Sequence, residues 1–196
     1  MNDYFFSKFL PALILLLVLC AINSVYSQTN TAAKLDSLQY IDDMPYICRG
    51  QPGQNHGLAV GCGSKLYWQV VMLKDNAIPF LINKLDDSTS TAAIVPNFGY
   101  PYTVADIAYT ALNEIIHDLP TFELLGNEFE ELGCRNCNYW QHLNADYKNR
   151  LAFKMAVQQW YSEHKNQLVW VESNRFSSCD CAGMHPNGGH YQLSVP

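Results

Sequence analysis

Apolar positions fall into blocks whose spacing predicts helices more often than strands. The first block after a Gly- and Pro-rich stretch is Leu66, Tyr67, Trp68, Val70, Val71 and Leu73. It is apolar on nearly every helical face, which predicts a buried helix from Lys65 to about Lys74 with Ser64 as its cap. Asp75-Asn76 breaks it. Ile78, Leu81, Ile82 and Leu85 then recur at helical spacing, with Pro79 in the first turn, where a missing N–H costs nothing. The polar run 86–91 ends this second helix. Past a loop containing Pro96, Gly99 and Pro101, the clearest amphipathic pattern carries Val104, Ile107, Ala108, Ala111, Leu112, Ile115 and Ile116. Thr103 and Asp106 form a capping-box-like pair at its start. Asp118 and Pro120 open a short helix closed by Gly126, and Phe153, Val157, Trp160 and Tyr161 line a long one over about 148–165. Leu168 to Val171 suits a short strand, and 173–196 reads as loop.

The segment from Leu73 to Asp87, with its Ala-Ile-Pro helix start, resembles the helix–turn–helix of HEAT or armadillo-type repeats. Tyr102 to Tyr109 is similar to the start of a following unit, so the resemblance covers about 64–126. It implies a stacked helical scaffold that binds partners, and no catalytic residues. No period of about 40 residues recurs along the chain, a departure from a true solenoid. The expected fold class is therefore mainly α: HEAT-like helical hairpins in a compact helical domain, with a disulfide-rich, loop-like C-terminal tail.

The N-terminus changes the picture. Phe9 to Ile22 is apolar, follows the basic Lys8, and gives way to Asn23-Ser24-Val25-Tyr26-Ser27. The run is shorter than the ~20 residues of a membrane span and suits the core of a secretory signal peptide cut after Ser27. Leu19 before Cys20 argues against a lipobox. The expected organisation is a signal peptide over 1–27, a flexible leader over 28–34 and a single domain over 35–196. Within that domain the HEAT-like core spans 64–126, and the last long helix and Cys-rich tail span 127–196. The expected address is periplasmic or extracellular, with no membrane span after cleavage. The net charge of −6 without a Lys/Arg cluster speaks against nucleic acid, whose affinity comes mainly from phosphate neutralisation.

Six cysteines lie beyond the signal: Cys48, Cys62, Cys134, Cys137, Cys179 and Cys181. An exported chain with an even number favours disulfides. Cys48 and Cys62 flank one loop and are natural partners. A Cys179–Cys181 bridge would close a strained small ring, which leaves that pair to join Cys134 and Cys137. The alternative is zinc held by Cys134, Cys137, Cys179 and Cys181, with His185 or His190 able to replace a thiolate. The Pro-Asn-Gly-Gly segment between the two histidines permits a tight turn that would bring them together, either around a metal or simply onto backbone groups. Thiol redox chemistry at Cys134-Arg-Asn-Cys137 lacks the expected βαβ context, and Asn138 excludes a c-type haem attachment.

Twelve Tyr and four Trp exceed what a core of this size requires. Tyr100, Tyr102, Tyr139, Trp140, Trp170 and Tyr191 lie near loops, where they can line a ligand groove or pack under the tail. No nucleophile elbow, zinc-protease helix, P-loop or dinucleotide fingerprint occurs. The expected function is an exported, non-enzymatic binding or scaffold protein of the cell envelope, with a protein or envelope partner and no cofactor. The alternative is a zinc-binding protein or metal-dependent hydrolase using Asp180, His185, His190 and the nearby cysteines.

Overall fold

The computed structural model describes residues 36–45, 63–95, 99–117, 119–126, 141–172 and 188–194. Its hub is a twelve-residue helix, Val104–Ile115 (α3), against which most other elements pack. Before it come Lys65–Val71 (α1), a 3-10 turn at Lys74–Asn76 and Ile78–Asn83 (α2). After it come Thr121–Leu125 (α4) and the longest helix, Tyr147–His164 (α5). A 3-10 turn at Ser37–Tyr40 buries Leu38 against α1 and α3.

The caps follow the sequence. The Ser64 hydroxyl accepts the Tyr67 N–H at 3.2 Å. Thr103 and Asp106 close a full capping box on α3, with the Thr103 N–H donated to Asp106 Oδ2 at 2.8 Å and the Asp106 N–H to Thr103 Oγ1 at 3.3 Å. These bonds satisfy N–H groups that a helix start otherwise leaves unpaired. Pro79 sits in the first turn of α2, where it displaces no hydrogen bond.

Two antiparallel hairpins overturn the mainly α expectation. The described part is 56% helix and 18% strand, a mixed α/β structure. Ser90–Ile94 (β1) pairs with Pro101–Thr103 (β2), with Ser90 opposite Thr103, Ile94 opposite Pro101 and an irregularity between them. Thus α2 leads into a strand rather than into the next helix of a HEAT-like hairpin, and no repeat occurs among the described residues. The strand signal in β1 is weak because its inward residues are only Thr91 and Ala93; alanine has little strand preference. Within the tail expected to be loop, Gly189–Leu193 (β4) pairs with Leu168–Glu172 (β3) in continuous register from Leu168–Leu193 to Glu172–Gly189. The β3 strand matches its sequence signal. The β4 strand has no two-residue alternation of its own, and its pairing supplies what its composition does not.

The β4 strand also touches the end of α3. The His117 N–H donates to the Tyr191 carbonyl at 2.8 Å, and Ile116 bridges Tyr191 in parallel. Gly189 is required by close approach. A methyl group there would run into the Val171 carbonyl oxygen and come within 2.9 Å of Trp170 Cζ2. Among the described residues no helix is long and apolar enough to cross a membrane.

Candidate functional site

The β1–β2 hairpin and the start of α3 form one wall of a cleft of about 370 Å³, lined by Tyr100, Pro101, Thr103, Asp106, Gln141 and Asn144. Gly99, at a φ of 74°, turns the chain into Tyr100, a lining residue that is 39% exposed. The opposite wall is the helical segment 141–145. Gln141 and Asn144 are three residues apart there, and so share a helical face. That segment is tied to α5 by Asn149 Nδ2, which donates to the His142 carbonyl at 2.7 Å.

Buried charge lies beneath the cleft. Arg150 reaches from α5 and donates from Nη1 to Asp106 Oδ1 at 3.3 Å, with both side chains almost wholly buried. Its Nη2 donates to Asn144 Oδ1. Asp106 therefore answers two partners, the Thr103 N–H on one oxygen and Arg150 on the other. A carboxylate engaged in this way serves poorly as a general base, because taking a substrate proton would cost it one of these contacts and the charge that balances Arg150. The lining offers a phenol ring, a proline, a hydroxyl and two side-chain amides around a mutually neutralised ion pair. That arrangement suits recognition of a polar, uncharged molecule rather than acid–base chemistry.

A second polar cluster lies inside the core. Tyr67 is fully buried, and neither its hydroxyl nor Glu114 Oε2 has a hydrogen-bond partner among the described residues. Burial pushes the Glu114 carboxyl up to about 7. Burial also raises the Tyr67 hydroxyl well above its usual value, reinforced by the neighbouring Glu114 and Tyr102.

The aromatic residues singled out in the sequence separate between the two hairpins. Tyr100 lines the cleft, whereas Tyr102, two residues on, packs against the core. Trp170 and Tyr191 are cross-strand partners in the second hairpin, with ring centroids 5.1 Å apart, edge to face. Lys74, in a left-handed conformation at φ 55°, places its ammonium 3.8 Å from the Trp170 ring centroid. Burial and the nearby Asp75 raise the Tyr191 hydroxyl, which is hydrogen-bonded to that carboxylate. The charged turn between α1 and α2 thus grips the outer hairpin. The His190 ring lies against that of His117, a residue that the sequence did not single out, with centroids 4.6 Å apart and the planes tilted by 39°.

Tyr139, Trp140, Asp180, His185 and the cysteines Cys48, Cys62, Cys134, Cys137, Cys179 and Cys181 lie outside the described residues. Among the described residues, no group of three or more His, Cys, Asp or Glu side chains is placed to hold a metal. No protein family, curated protein or solved structure matches this chain.

Proposed function

We propose that the protein is an exported, non-enzymatic binding protein of the cell envelope and that the cleft beside Tyr100 takes a small, neutral, hydroxyl-rich ligand such as a sugar ring. The carrying observation is the composition of the cleft. Tyr100 and Pro101 offer flat apolar surfaces, the Gln141 amide supplies a donor and an acceptor, and Asn144 keeps its Nδ2 donor while its Oδ1 is held by Arg150. Among the described residues that line or directly underlie the cleft, the formal charges are those of Asp106 and Arg150, and they are spent on each other. An anionic or cationic ligand would find no uncompensated partner among these described residues, whereas ring C–H groups and hydroxyls match these walls. The export expectation rests on the signal-peptide pattern over 1–27 and the cysteines beyond it.

The test is titration of isotopically labelled protein with glucose, N-acetylglucosamine and cellobiose, with glucuronate and glucosamine as charged counterparts. The expected result is saturable shifts confined to Tyr100, Gln141, Asn144 and their neighbours, weakened by Tyr100→Ala and by Gln141→Ala. Gln141 and Tyr100 are both exposed, so neither change should unfold the domain. Absence of saturation with all the neutral sugars, or a preference for the charged ones, would overturn the reading.

A further inference from the structure

We propose that His117 and His190 together form a two-imidazole site for a borderline divalent transition metal ion (zinc, nickel or copper(II)), independent of the cleft. The two rings come from elements far apart in sequence. His117 lies two residues past the last residue of α3, just beyond the C-cap Ile116, and His190 is the second residue of β4. Their ring centroids are 4.6 Å apart at an interplanar angle of 39°. Two imidazoles bound side by side to one tetrahedral ion, with metal–nitrogen bonds of ~2.0–2.1 Å, place their ring centroids about 5 Å apart. The observed separation of 4.6 Å is close to that figure.

The backbone holds this spacing in place. The His117 N–H is bonded to the Tyr191 carbonyl at 2.8 Å, and His190 sits in register opposite Val171. The histidines therefore lie on two elements already hydrogen-bonded to one another, so little chain ordering remains to be done when an ion arrives. His117 is exposed and His190 half-buried, which leaves an approach from solvent. Neutral imidazole is a good ligand for zinc, nickel and copper and a poor one for magnesium or calcium, which prefer oxygen. Water would complete the coordination sphere. An ion held here would pin β4 to the end of α3 and add a cross-link to the hairpin that its hydrogen bonds begin.

The test uses the full chain with its thiols blocked by alkylation, so that cysteine cannot compete for the metal. Titration with nickel(II) chloride should give a single saturable event, and copper(II) should broaden the ring signals of His117 and His190 together at sub-stoichiometric addition. Nickel should also raise the thermal midpoint, because an ion that binds only the folded state stabilises it, and magnesium should not. His117→Gln and His190→Gln should each abolish the event. His164→Gln should leave it intact, because that ring stacks on Trp160 within α5. Binding that survives either of the first two substitutions would overturn the proposal. So would copper broadening that reaches only one of the two rings, or that begins at His164. The broadening experiment needs no variant, so a substitution that fails to fold still leaves the proposal open to refutation.

Discussion

The two longest helices among the described residues are held by different means. In α3, eight of twelve residues are buried, in a broad stripe that meets α1, α2 and both hairpins. In α5, only Arg150, Phe153, Val157 and Trp160 of eighteen residues are buried, while Tyr147, Leu151 and Met155 stay exposed. What α5 lacks in apolar area it replaces with directed contacts. Arg150 pairs with Asp106, Lys154 with Asp86, and the Tyr147 hydroxyl donates to the same Asp86 at 3.0 Å. The longer helix is thus the less embedded one, and its docking depends on a few named polar pairs rather than on a face. One of those pairs also underlies the cleft, so the way α5 is attached fixes the geometry of the proposed binding site.

The sharpest way to break the comparison is Arg150→Met. The replacement keeps a long side chain but leaves Asp106 buried with the Thr103 N–H as its remaining partner. Removing one partner of a buried ion pair costs ~3–5 kcal/mol, because the other charge is left uncompensated. Urea denaturation should show that loss. Adding Asp106→Asn should restore a substantial part of it by removing the stranded charge. If the single substitution is neutral, α5 is held by its apolar stripe after all and the contrast with α3 disappears.

The second prediction concerns the other acid of α3, Glu114, whose Oε2 has no hydrogen-bond partner among the described residues. Burial holds the Glu114 carboxyl at about 7, against an ordinary value of 4.5. Between those values the folded state keeps a proton that the unfolded chain has released. Stability therefore falls as pH rises from about 4.5 to about 7, by about 3 kcal/mol if the full shift is expressed. Glu114→Gln removes the titration, so the variant should match the wild type near pH 4.5 and exceed it above pH 7. The measurement is the urea midpoint across that range. A wild-type profile that is flat there, or that rises, would show that the carboxyl finds solvent or a partner and that α3 carries no strained charge.

The same contrast explains what could be read from the sequence. The helices around α3 were legible because Ile107, Leu112 and Ile115 repeat at helical spacing and Thr103 and Asp106 mark the start. The strands were less so. In β1 the inward positions are Thr91 and Ala93, too small to print an alternation. In β4 the residues Gly-His-Tyr-Gln-Leu become a strand through β3 and the end of α3, which are contacts of tertiary origin. Within the cleft, Tyr100 was legible as an aromatic residue beside a loop. Gln141 and Asn144 were not, because amides in a polar stretch carry no periodic signal. A lone arginine on a polar helix such as α5 reads as solvated until Asp106, forty-four positions away, is seen to face it. His117 escaped notice because it stands just past the periodic run, and only the fold brings His190 to it.

The smallest expected effect separates the two kinds of polar contact within α5 itself. Lys154 Nζ lies 2.8 Å from Asp86 Oδ1 and 2.9 Å from the Asn83 carbonyl, joining α5 to the end of α2. Burial is the largest single influence on Asp86 and pushes it upward, but hydrogen bonds from Lys154 and Tyr147 outweigh burial and hold the carboxyl below its usual value. Water still reaches this pair, and ion pairs that water reaches are worth about 1 kcal/mol or less. Lys154→Ala should therefore cost no more than that at neutral pH, and the cost should shrink in high salt. It should shrink also in acid, because a lowered carboxylate contributes stability that is lost as pH falls through its folded-state value. The Arg150→Met loss should respond far less to salt, because no solvent screens that pair. If the two substitutions prove equally costly and equally salt-sensitive, burial does not distinguish them. The pair beneath the cleft would then be an ordinary surface contact, too weak to fix Asp106 and Asn144 in place for a ligand.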